Sequence, residues 1–81
     1  MASFTDQLAN LVSQEAAAAK SDADRMGVMI ERLAAALGFT IALASHGDGK
    51  AIDTFIMGAT SYAHEEAVEK SKFAKFMAKL T

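Results

Sequence analysis

Residues 26–44, MGVMIERLAAALGFTIALA, set the problem that the rest of the chain has to solve. Met26, Val28, Met29, Ile30, Leu33, Leu37, Phe39, Ile41 and Leu43 recur so densely that, wound as a helix, they cover much more than one face. A helix apolar nearly all round is a buried one, because each side must pack against something other than water. The chain has 81 residues, and one of that size buries only about 60–65% of the surface its unfolded form exposes. A single helical neighbour covers one side of such a segment. A second copy is therefore expected to cover the rest.

Composition narrows the other ways of stabilising so small a domain. Cysteine is absent, which removes disulfides and thiolate zinc sites, and the two histidines stand far apart. Alanine fills 18 positions and proline none. Alanine has the highest helix propensity, whereas one proline inside a helix costs about 3 kcal/mol. Helix is the expected state throughout, in one domain spanning 1–81.

Ser3 or Thr5 can cap a first helix, with Asp6 near the exposed amides of its first turn. Beyond it Leu8, Val12, Ala16, Ala19, Ala23, Met26, Ile30, Leu33 and Leu37 recur at steps of three and four, a helical period. Between 16 and 23 this stripe holds only alanine, which lets a neighbouring backbone approach closely. Ser21-Asp22-Ala23-Asp24 resembles a fresh capping start, so a kink or restart is expected there.

Residues 39–57 admit two readings. Phe39, Ile41 and Leu43 alternate, as do Ile52, Thr54 and Ile56, and Asp48-Gly49 between them suits a hairpin turn; this is an αββα fold. The helical reading is better supported. Leu37, Ile41 and Ala44 continue the preceding stripe in phase, and Ile52, Phe55, Ile56, Ala59 and Ala63 follow the pattern of one helix face. Gly47 suits the left-handed residue that ends a helix, and Asp48 can cap the next. Gly38 then either sits inside the helix at a cost of about 1 kcal/mol or marks a break. A last helix is expected from about 50 to 79, supported by Glu66 and Lys70 at i, i+4. Two long helices joined by a short loop lie antiparallel, which would set Gly27 near Thr60 and Gly58 near Met29, either as close crossings or as tolerated glycines.

Candidate chemistry is thin. Ser45-His46-Gly47-Asp48-Gly49-Lys50 departs from a phosphate-cradling G-x-x-x-x-G-K-[ST] loop at two positions, where Ala44 and Ala51 stand. It also lacks the alternating acidic ligands of a calcium loop. His64-Glu65-Glu66 has no Glu-x-x-His spacing, and Glu31 is its one well-placed acidic neighbour. No catalytic, cofactor or metal residue is assigned and no cofactor is expected. Net charge is −2, against a nucleic-acid binder, whose affinity comes from clustered Lys and Arg. Residues 69–81 nevertheless hold four lysines against Glu69. Lys70, Lys72, Lys75 and Lys79 interleave with Phe73, Phe76, Met77 and Leu80, a pattern shared by a bundle's terminal helix and by a basic helix that docks on a membrane or in a partner's groove.

MASFTDQL lacks a basic start before an apolar core, unlike a secretory signal. The longest uncharged apolar run, at 33–45, is 13 residues where a membrane span needs about 20. A cytoplasmic, soluble protein is expected. The reading that follows is an all-α antiparallel hairpin, with breaks available near 21 or 38, dimerising into a four-helix bundle. Its function would be non-enzymatic self-association and protein interaction. The alternatives are a small-ligand or metal-binding bundle, or docking by the C-terminal helix. Candidate interface residues are Met26, Met29, Ile30, Leu33, Leu37 and Phe39, continuing with Ile41, Leu43, Ile52, Phe55 and Ile56. Docking candidates are Phe73, Phe76, Met77, Lys72 and Lys75.

Overall fold

A computed structural model of the chain describes residues 3–20 and 22–80. Among these the chain forms four helices and no strand: α1 (Phe4–Ala19), α2 (Ala23–Ser45), α3 (Gly49–Glu69) and α4 (Ser71–Lys79). Residues 39–57 are therefore helical apart from a turn at 46–48, and the αββα alternative is overturned. The in-phase continuation of the stripe through Leu37 and Ile41 outweighs local β propensity because a lone two-strand ribbon has no cover for its apolar side.

The starts of α1, α2 and α3 are each set by a short polar side chain, whereas α4 begins at Lys70 without one. Ser3 Oγ accepts from the Asp6 amide at 3.1 Å, Asp22 Oδ1 from Arg25 at 3.1 Å and Asp48 Oδ2 from Ala51 at 3.0 Å. These bonds satisfy amides that the first turn leaves without partners. The expected restart near 21 is thus a full break. Lys20 adopts the left-handed conformation, its N–H reaches Ala16 O at 3.3 Å, and Asp22 opens α2. The cap proposed on Ser21 lies outside the described residues.

Two other expectations need correction, and the alternative left open at Gly38 is settled. The residue that closes α2 in left-handed conformation is His46, at φ 54°, with Gly47 following at φ 77°. The His46 amide bonds Leu43 O at 3.4 Å and the Gly47 amide bonds Ala42 O at 3.2 Å, the paired closure of a Schellman end. Gly38 does not interrupt α2. The single helix expected over 50–79 is two, divided at Lys70, where ψ of 1° departs from helical geometry. Hydrogen bonds of 2.9 Å from Lys70 N to Glu66 O and from Ala74 N to Lys70 O carry the ladder across this interruption.

The arms of the hairpin meet closely at one corner and open away from it. Ile41 and Ser45 are buried there, and Ala51, Ile52 and Ala59 are half-buried. The Ser45 hydroxyl donates to Ala42 O at 3.3 Å and accepts from the Gly47 amide at 3.2 Å, so its burial leaves no polar atom unsatisfied. At the other end α3 and α4 return to the α1–α2 corner, where Phe73 and Met77 line a trough shared with Met26 and Ala16. The close crossings proposed for Gly27 and Gly58 do not form, since a Cβ built on either glycine meets nothing within 4 Å.

This is an open arrangement. The radius of gyration is 14.7 Å, against about 12 Å for a compact domain of this length. Among the described residues only Ala19, Ile41 and Ser45 are buried.

Candidate interaction surface

Exposed apolar side chains occur on all four helices: Phe55, Ile56, Met57, Tyr62 and Val68 on α3, and three further groups. On α2 they lie on two sides. Ile30, Leu37 and Ile41 share one side, covered at Ile41 and opening to 62% exposure at Ile30. Phe39 and Leu43 project about 160° round the helix from Ile41, at 100° per residue. They are 67% and 61% exposed, and Val28 on the same side is 49% exposed. An arm that packs against Ile41 cannot also reach Phe39. Thr40 points about 100° away from Phe39, and its hydroxyl donates to Ala36 O within the helix at 2.8 Å.

The second group lies where α1 meets α2. Leu8, Leu11 and Val12 face Met29, Arg32 and Leu33 across a shallow groove of about 310 Å³. Phe4 and Leu11 remain 78% and 64% exposed. Neither was among the interface candidates, although Phe4, Leu8 and Leu11 stand at i, i+4, i+7 and the same periodicity could have found them. The third group is α4. Phe73 and Met77 line a trough of about 510 Å³ opposite Ala16 and Ala17 of α1, while Phe76 is 58% exposed and Lys72 and Lys75 reach solvent. Of the proposed interface residues, Ile41 is already covered within the chain, and Met26, Met29 and Ile52 are half-buried. Leu33, Leu37, Phe55 and Ile56 remain open.

Polar interactions fix the α1–α2 corner. Arg25 Nε donates to Glu15 Oε1 at 2.7 Å and Nη2 to Oε2 at 3.3 Å, a two-pronged pair, while Nη1 reaches Ala18 O at 3.4 Å. The hydrogen bond from Arg25 is the main reason that the Glu15 carboxyl is held below its ordinary value of 4.5. Lys70 Nζ lies 3.6 Å from Glu66 Oε2, the pairing expected from their spacing. In the 45–50 segment the Asp48 carboxylate occupies an amide at the start of α3, where a bound anion would otherwise sit. Among the described residues no three His, Asp or Glu side chains gather into a metal site.

α2 is also long and apolar enough to cross a membrane, with a mean hydropathy of 1.6 over its best 18 residues, of which 6% are buried in the chain. The 13-residue run at 33–45 understates it, because Glu31 and Arg32 fall within an otherwise apolar helix. No family model, curated protein or solved structure matches the chain.

Proposed function

We propose that this chain is a non-enzymatic self-association module whose helices become a closed bundle when two copies meet. Its surface area carries the reading. The chain exposes 6950 Å², whereas a folded monomer of 8.5 kDa exposes about 4,650 Å², an excess of about 2,300 Å². Covering that excess on both copies removes about 4,600 Å² from water, within the range of obligate homodimers. Large apolar side chains left exposed, among them Phe39, Leu43 and Phe76, supply the driving force.

A second reading rests on the hydropathy of α2, which would place that helix in a bilayer. Two observations weigh against it. Glu31 and Arg32 would lie inside the bilayer, each costing about 2.5–3.5 kcal/mol near the centre of a span. The uncharged stretch that follows is about 20 Å long as a helix, against a hydrocarbon thickness of about 30 Å. A self-associating core helix shows the same hydropathy without either cost, so an aqueous, cytoplasmic module is the reading we adopt. Sedimentation equilibrium of detergent-free protein from micromolar to millimolar concentration tests it. The expected result is a dimer mass that dissociates on dilution. A single species of 8.5 kDa throughout overturns it.

A further inference from the structure

We infer that the second copy docks antiparallel on the α2 side that carries Val28, Phe39 and Leu43, about a two-fold axis between Ala35 and Ala36. This rests on the self-association reading and adds to it a surface, an orientation and a register.

The argument starts from the spacing of the side left open. Val28, Arg32, Ala35, Ala36, Phe39 and Leu43 form one ridge of α2, and all six are exposed. The ridge reads almost the same in both directions. Taken from either end, its steps are four to the next residue, three or four to the alanine pair, and four again at the far end. A two-fold contact needs a patch that complements itself, since each residue meets its counterpart on the other copy. With α2 antiparallel to its mate, residues whose numbers sum to 71 come level. Val28 then lies beside the partner's Leu43, and Arg32 beside the partner's Phe39. The guanidinium can rest on that aromatic face, an arrangement suited to its weak hydration.

The centre of the ridge supports the same geometry. Ala35 and Ala36 are the smallest side chains on it and sit where the two backbones would approach most closely. Helices with small residues at the contact pack at about 8 Å between axes. At that distance the two copies of Ala36 bring their Cα atoms to roughly 5 Å, while the two copies of Val28 stand about 22 Å apart along the helix. A parallel arrangement reverses this, with each residue level with its own copy. The side that the chain covers for itself is the opposite one, at buried Ile41, while α1 borders the ridge at Arg32, which also lines the α1–α2 groove.

The chain contains no cysteine, so one introduced thiol reports one position. Disulfides form where Cα atoms approach within about 4.4–6.8 Å. The experiment is mild oxidation of full-length Ala36→Cys, Val28→Cys and Leu43→Cys, each alone and the last two mixed, after circular dichroism has matched each to the parent. Ala36→Cys should link to itself rapidly. Val28→Cys and Leu43→Cys should each stay unlinked alone and give a mixed disulfide together. Self-linking of Val28→Cys overturns the antiparallel register. A dimer by sedimentation in which Ala36→Cys fails to link overturns the proposed surface while leaving self-association standing. A monomer by sedimentation overturns both. Partition into phosphatidylcholine vesicles without linking at Ala36 replaces the second copy with lipid.

Discussion

Replacing Phe39 with alanine should weaken the dimer about a thousandfold without disturbing the chain that remains. Phe39 is 67% exposed in the single chain. A phenylalanine presents about 200 Å², so about 130 Å² of it awaits cover. At about 25 cal/mol per Å², full burial contributes about 3 kcal/mol per copy. An alanine at the same place keeps roughly a third of that, so the loss is about 2 kcal/mol per copy and about 4 kcal/mol per dimer. With each 1.4 kcal/mol worth a factor of ten, the dissociation constant rises about a thousandfold. Alanine is the better helix former by about half a kcal/mol, so helicity should not fall for local reasons. Sedimentation equilibrium of Phe39→Ala beside the parent reads the constant directly. A change smaller than tenfold would refute the reasoning, because two-thirds of this ring would then remain in water in the dimer as well.

Two further outcomes follow from the corners. Because His46 closes α2 at φ 54°, a conformation that costs an L-residue about 1–2 kcal/mol, His46→Gly should stabilise by about 0.5–1 kcal/mol after allowing for glycine's greater freedom when unfolded. Thermal unfolding at fixed protein concentration checks this, and a lower midpoint contradicts it. The Glu15 carboxyl is held below 4.5 in the folded chain by Arg25. A depressed folded value means that the clamp's contribution is complete above the unfolded value and is lost as pH falls through the folded one, so the α1–α2 corner should loosen in acid. Carboxyl-carbon NMR titration should find the Glu15 midpoint below the ordinary value, returning toward it in Arg25→Gln. An unchanged midpoint in that variant would remove the clamp as the cause.

What could be read from the chain beforehand was whatever depends on neighbours three or four residues apart. The Ser3 and Asp48 caps, the restart near 21 and the Glu66–Lys70 pair are of this kind, since each is complete within one helical turn. The helical state of 39–57 was legible too, because the stripe from Leu37 to Ala44 keeps phase. What was not legible depends on how turns aim the helices. Glu15 and Arg25 meet across a change of direction at 20–22 that no spacing rule encodes. Gly27 and Gly58 looked like crossing points in a tightly closed hairpin, and the arms diverge instead. His46 rather than Gly47 takes the first left-handed position because the α2 ladder runs one residue shorter than the glycine suggests. For the interface, the excess of apolar residues was evident from 26–44. Which of them the chain covers for itself became clear only when α3 was placed against Ile41.

The interruption at Lys70 leaves α4 as nine residues, fewer than the dozen or so that a helix needs to hold its shape unaided. That short piece carries Lys72, Lys75 and Lys79, with Lys70 at its root. Proteases that cut after lysine therefore find closely spaced sites around the distorted turn at Lys70. A cut after Lys70 removes three positive charges and takes the net charge from −2 to −5. The trimmed chain would elute later from an anion exchanger, so its peak would record how often this end had come loose.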